Sequence, residues 1–321
     1  MGKPGLKEKN MKKAGLKIVG FCFMFLLTWI IAGAASAKVD VFVSIAPQKY
    51  FVQQIGKDLV EVHVMVQPGA DPHTYEPKPR QMVALAKTQL YFAIGVEFEK
   101  ARLKKISAAN PQMKVIHTDE GIRKIPMPAH QHHDEEENDQ TSAHSAEAEH
   151  GDGDEPHGHG GLDPHIWLSP PLVMQQAQTI LAALQAVDPL HRSNYEANYE
   201  AFSSEIAALD AELKDIFSGK QGLQFIVFHP AWGYFAHAYG LVQVPVEIEG
   251  KNPKPAQLKE LIEHAKEKNI KVIFVQPQFS TKSAELIARE IDGQVVFADP
   301  LAENWDNNLR AVAARFRAAL R

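Results

Sequence analysis

The sequence predicts an α/β fold of two similar lobes, each with a central parallel sheet, joined by a long α-helix. Three observations lead there. Short apolar runs alternate with helical patterns, as expected when helices cover both faces of parallel strands. That alternation occurs twice, in the first and last thirds of the 321 residues. Between the two runs lies one long segment of helical period.

The elements follow in order. "VDVFVSIA" from Val39 reads as a buried strand and "PQKYFVQQIG" as a helix opened by Pro47. "LVEVHVMV" alternates with period two, "RQMVALAKT" is a helix, and "LYFAIG" and "KVIH" are short strands. "PLVMQQAQTILAALQAV" is a helix. "DPLHRSNYEANYEAFSSEIAALDAELKDIFSG" reads as the long one, with Asp188 as N-cap, Pro189 at the first position and Gly219 as its stop. It would span roughly 45 Å at 1.5 Å per residue, a length suited to a rigid strut between lobes. The alternation then resumes: strands "LQFIVFH", "VQVPVEI", "KVIFVQ" and "QVVFAD", helices "AWGYFAHAYG", "PAQLKELIEHAKEKN" and "TKSAELIAREIDG", and a last helix from about Trp305. The expected domains are a first lobe over 38–187, a linking helix over 188–219 and a second lobe over 220–321.

Residues 1–37 are expected to be a cleaved signal peptide. A basic start precedes the apolar run "IVGFCFMFLLTWIIAG" and then "ASA" at Ala35–Ala37. The run is shorter than the roughly 20 residues that span a bilayer. The only cysteine, Cys22, lies inside it and follows Phe21 rather than a small residue, so no lipid-attachment site is expected. The chain from Lys38 therefore has no cysteine and no disulfide.

Charge is concentrated in one place. The net charge is −5, which argues against a nucleic-acid partner. The stretch from His130 to Gly161 carries ten acids, seven histidines and no Lys or Arg. With few large apolar residues, the interval 126–161 is expected to be a disordered loop inserted in the first lobe. Its histidines, His130, His132, His133, His144, His150, His157 and His159, are expected to be weak auxiliary metal sites.

Eight histidines lie elsewhere. His63, His191, His237 and His264 fall within strand or helix patterns and read as structural. Three have a distinctive setting. His73 in "GADPHTYEPKP" follows a strand in a Pro/Gly-rich turn, His165 in "LDPHIWLSP" is flanked by prolines, and His229 in "FHPAWGYF" ends a buried strand. Asp299 in "FADPLAENW" ends the last strand in the same way. Ligands of open α/β sheets bind beyond the carboxyl ends of strands. Imidazole nitrogen and carboxylate oxygen suit tetrahedral Zn²⁺. Two donors from each lobe would place an ion in the cleft between them. No H-E-x-x-H or other hydrolase signature is present, so an enzyme is not expected.

These motifs, with "IEGKNPKPAQLKELI", resemble the metal-binding subunits of bacterial ABC importers for zinc and manganese, the cluster A-I (cluster 9) solute-binding proteins, and most closely the ZnuA-like zinc members. The resemblance covers the chain from about Val39. It implies that His73, His165 and His229 ligate the metal, with Asp299 as the fourth donor and water as the alternative. Histidine at the third site points to zinc; the alternative is a manganese or iron subunit of a related importer. The resemblance also implies a periplasmic monomer that captures Zn²⁺ and delivers it to an ABC transporter membrane permease. Some zinc members carry a His-rich insertion between the first two ligand histidines, where 130–161 lies. The chain departs from some zinc members by lacking a second-lobe disulfide and by having Pro72, not a carboxylate, before His73.

Overall fold

The computed structural model describes residues 37–127, 161–247 and 253–320. The expected signal peptide and all seven loop histidines lie outside them. No helix among the described residues is long and apolar enough to cross a membrane.

The chain runs β1 (Val39–Val43), α1 (Ala46–Gly56), β2 (Val60–Val64), α2 (Pro79–Leu85), β3 (Leu90–Ala93), α3 (Glu97–Ala109) and β4 (Lys114–His117). It continues through α4 (Pro170–Val187), α5 (Arg192–Ile216), β5 (Gln224–Val227), α6 (Gly233–Tyr239) and β6 (Val242–Pro245). It ends with α7 (Pro255–Glu267), β7 (Val272–Val275), α8 (Lys282–Glu290), β8 (Gln294–Phe297) and α9 (Trp305–Ala319). The strands form two four-stranded sheets of order β2-β1-β3-β4 and β6-β5-β7-β8. Every pairing is parallel, for example Val41 opposite Val62 and Phe274 opposite Val296. Both sheets have the same winding, so each has one point where the chain reverses direction across the sheet. These points lie between β1 and β3 and between β5 and β7, where ligand crevices form in such sheets.

All eight strands read from the sequence are present. Helix α3 was not read. Its "EFEKARLKKISAA" buries only Phe98, Glu99 and Ile106, too few apolar positions to print a stripe. The long helix also differs from expectation. Pro189–His191 forms a short 3₁₀ turn and α5 starts at Arg192. The Asp188 carboxylate is occupied by the Tyr195 hydroxyl and His191 Nδ1, both at 2.7 Å. Gly219, with φ of 73°, follows its end. Nor is α5 a free strut. It buries Tyr195, Phe202, Ile206, Leu209 and Leu213 and packs on α4, α1 and α9.

The second sheet divides two cores. On β5 and β7 the side chains alternate: Phe225, Val227, Val272 and Phe274 face the main core. Ile226, Phe228, Ile273 and Val275 face a smaller cluster under α7 and α8, with Leu261, Ala265, Ala284 and Ile287. The main core is continuous with that of the first sheet. At this seam the Trp167 indole donates to the Pro300 carbonyl and the Trp305 indole to the Trp167 carbonyl, each at 2.7 Å. The Trp305 ring meets Phe51 edge-on at 5.2 Å. Burying each such ring contributes about 1.5–3 kcal/mol, and these rings bind the two halves through one apolar body.

Candidate metal centre

His73, His165 and His229 converge. One ring nitrogen from each lies within 4.8 Å of the other two, the only such group of three or more metal-donor side chains among the described residues. Each comes from a different loop. His73 lies beyond β2, His165 opens the turn before α4, and His229 sits two residues past β5. They line a cavity of about 20 Å³ with Asp71, Val96, Trp167, Gln278, Phe279 and Leu301.

Hydrogen bonds fix which nitrogen points inward. Asp163 is fully buried, and its Oδ1 accepts from both the backbone N–H of His165, at 2.8 Å, and its Nδ1, at 2.7 Å. Glu247 Oε2 accepts from His229 Nδ1 at 2.7 Å. A carboxylate can only accept, so both rings carry a proton on Nδ1, and in the neutral ring Nε2 is then the lone pair. Gln276 clamps the His229 backbone: its Oε1 accepts from the His229 N–H at 3.2 Å and its Nε2 donates to the carbonyl at 2.6 Å. Phe279 stacks on the His229 ring at 5.0 Å.

His73 is held differently. Asp71 Oδ1 accepts from its backbone N–H at 2.9 Å, an Asx turn that shapes the loop but leaves the ring alone. Its Nε2 lies 3.1 Å from Nε2 of His229. Since the latter is a lone pair, the proton between them belongs to His73. Tetrahedral ligands about 2.0–2.1 Å from zinc sit about 3.3 Å apart, so this pair is already near coordination spacing. A cation at the three Nε2 atoms requires the His73 proton to leave or move to Nδ1.

Burial pushes the His229 imidazole below its ordinary range, against the opposing pull of Glu247. Burial, aided by the nearby His229, does the same to His73. Neutral rings are the metal-binding form.

Asp299 is not in the converging group. Its Oδ1 accepts from Gln278 Nε2 at 3.1 Å and from the Leu301 N–H at 2.9 Å. The other described histidines are not in that group; among them His63 faces Asp40 at 3.4 Å, His117 faces Asp119 at 3.6 Å, His191 meets Asp188, and His264 Nε2 is 2.7 Å from Gln224 Oε1.

Sequence reasoning did not name Asp163, Glu247, Gln276, Gln278 or Tyr234. The Tyr234 hydroxyl donates to the Asp163 carbonyl at 2.8 Å and accepts from the Ile125 N–H at 3.1 Å. It thereby ties α6 to the chain leading into His165. Gly233 is needed beside it, since a Cβ there would sit 2.7 Å from Asp163 Oδ2. The expected loop 126–161 is also narrower than its boundaries. Met127 N–H donates to the Gly161 carbonyl at 2.9 Å and Pro126 bridges Leu162 in antiparallel fashion.

Residues 41–319 match the family model described as zinc-uptake complex component A, periplasmic. The chain is 29% identical over 290 residues to the high-affinity zinc uptake system protein ZnuA of Bacillus subtilis, covering 87% of this chain and 86% of that one. A crystal structure of a ZnuA superposes with TM-score 0.78 at 44% identity, covering 88% of this chain and all of the other. A zinc-bound ZnuA lacking its residues 138–173 superposes with TM-score 0.76, also at 44% identity, covering 88% of this chain and 98% of that one. The chain belongs to the family of periplasmic zinc-uptake components, solute-binding proteins of ABC importers rather than enzymes.

Proposed function

We propose that His73, His165 and His229 hold the Zn²⁺ cargo through their Nε2 atoms and that the loaded protein, exported with loss of residues 1–37 and acting as a monomer, surrenders it to the membrane permease. The observation that carries the ligand assignment is the convergence of three imidazoles, two of them turned inward by buried carboxylates. Three nitrogen donors favour zinc over manganese, which prefers oxygen. In this reading the tract 130–161 gathers Zn²⁺ weakly and in several copies, because a site fixed by packed elements loses less entropy on binding than a polar tract.

Calorimetric titration with Zn²⁺ tests the reading. His229→Ala should lose tight binding by about 100-fold or more while retaining the fold by circular dichroism. Deleting 130–160 should lower the stoichiometry and leave one tight site. A deletion that removed the tight site, or a His229→Ala protein that bound like the wild type, would refute it.

A further inference from the structure

Gln278 lies beyond the carboxyl end of β7, beside the reversal point of the second sheet, and lines the same cavity as the three histidines. Its amide orientation is fixed by chemistry. Asp299 Oδ1, at 3.1 Å, can only accept, so the NH₂ of Gln278 faces Asp299. The carboxylate is itself fixed, by the Leu301 N–H at 2.9 Å, while the Asp299 carbonyl accepts from Asn308 Nδ2 at 2.7 Å. Gln278 Oε1 is consequently on the other side of the amide. It is buried and has no hydrogen-bond partner among the described residues.

A buried acceptor without a donor is destabilising. A neutral amide oxygen competes poorly with carboxylate or imidazole for zinc. It is, however, a good acceptor for the protons of a metal-bound water, which the cation makes more acidic. Asp299 Oδ1 is taken by the amide and the chain, and Asp299 is not a member of the converging donor group.

We propose that Gln278 is a positioning residue for the fourth ligand: its Oε1 accepts a hydrogen bond from a water on the ion held by His73, His165 and His229. Asp299 acts by aiming that amide, not by binding the ion. The inference rests on the three-histidine reading above. Its consequence is a ligand set with no negative charge, which selects against harder cations and leaves a labile position through which the permease can draw the ion away.

The test is Zn²⁺ calorimetry on four variants of the full chain. Gln278→Ala and Asp299→Ala should each weaken zinc by about 10-fold, and the double variant should be no worse than either. Asp299→Asn should stay within about threefold of wild type, because its amide oxygen can still accept from both Gln278 and Leu301. A direct carboxylate ligand would give the reverse: Asp299→Asn as damaging as Asp299→Ala, with Gln278→Ala neutral. Co²⁺-loaded protein gives an independent readout. Azide should displace the water and change the visible absorption of the wild type, and an unchanged spectrum would overturn the proposal. If His229→Ala also bound normally, the three-histidine reading itself would have failed, an outcome distinct from failure of the Gln278 assignment alone.

Discussion

Two parts of the centre are built on different terms. His165 and His229 each lean a ring nitrogen on a carboxylate, at 2.7 Å in both cases, and both residues are buried. His73 stands on an Asx turn with only its backbone held by Asp71, and its ring meets nothing closer than His229. In the proposed reading the buried pair sets the ion's position. In that reading His73, hydrogen-bonded through Nε2 to His229, must give up that proton before it can join them.

This contrast can be broken or sharpened by experiment. The largest effect is expected from His165→Ala, which removes a locked donor and should weaken zinc by about 100-fold or more in a calorimeter. Next are Glu247→Ala and Asp163→Ala, each about 10–100-fold, because an unheld imidazole loses its tautomer and direction. If either carboxylate could be removed without cost, the locked pair would not be what defines the site. Tyr234→Phe should cost less, a few-fold in affinity and about 1 kcal/mol in urea stability, since it removes hydrogen bonds from the backbone behind His165. Asp71→Ala should be smallest at equilibrium, under about threefold, and should show mainly as faster zinc release in stopped flow.

Acid acts on both parts. His73 and His229 have folded pKa values lowered by burial, below the ordinary 6.5. The folded, metal-stripped protein therefore binds fewer protons than the unfolded chain in the window below about pH 6.5. Its stability should be complete above that pH and decline as pH falls below it, visible as a lower urea midpoint at pH 5.5 than at pH 7. Zinc binding should persist to lower pH than free imidazole allows, because protons compete less well for these rings.

The strands were legible because each is a short apolar run closed by Gly, Pro or a polar turn. The three converging histidines were legible because each sits in a proline-marked turn, two of them past strand ends. Their supports were not. Glu247 reads as the tail of a strand, and meets His229 only because β6 pairs with β5, bringing Val246 N–H to the Val227 carbonyl at 2.8 Å. Asp163 lay in a motif already singled out, yet an Asp before a Pro reads as turn chemistry rather than as a ring's anchor. Asp299 was picked by its place at a strand end. That rule finds the neighbourhood of a site, and the hydrogen bonds to Gln278 and Leu301 then decide what the carboxylate does there. The length of α5 was readable and its role was not, since the apolar stripe that packs it on α4 and α1 is spread over 25 residues.

One consequence follows from the hydrogen bond between Met127 and Gly161. Where the chain departs for residues 128–160 and where it returns are neighbours, so the framework is already closed beneath that excursion. Closing a flexible segment costs only about 0.6 kcal/mol more for each doubling of its length. A designer could therefore graft a longer acidic tract, a shorter one or a plain two-residue turn at this doorway without redrawing the framework on either side of it.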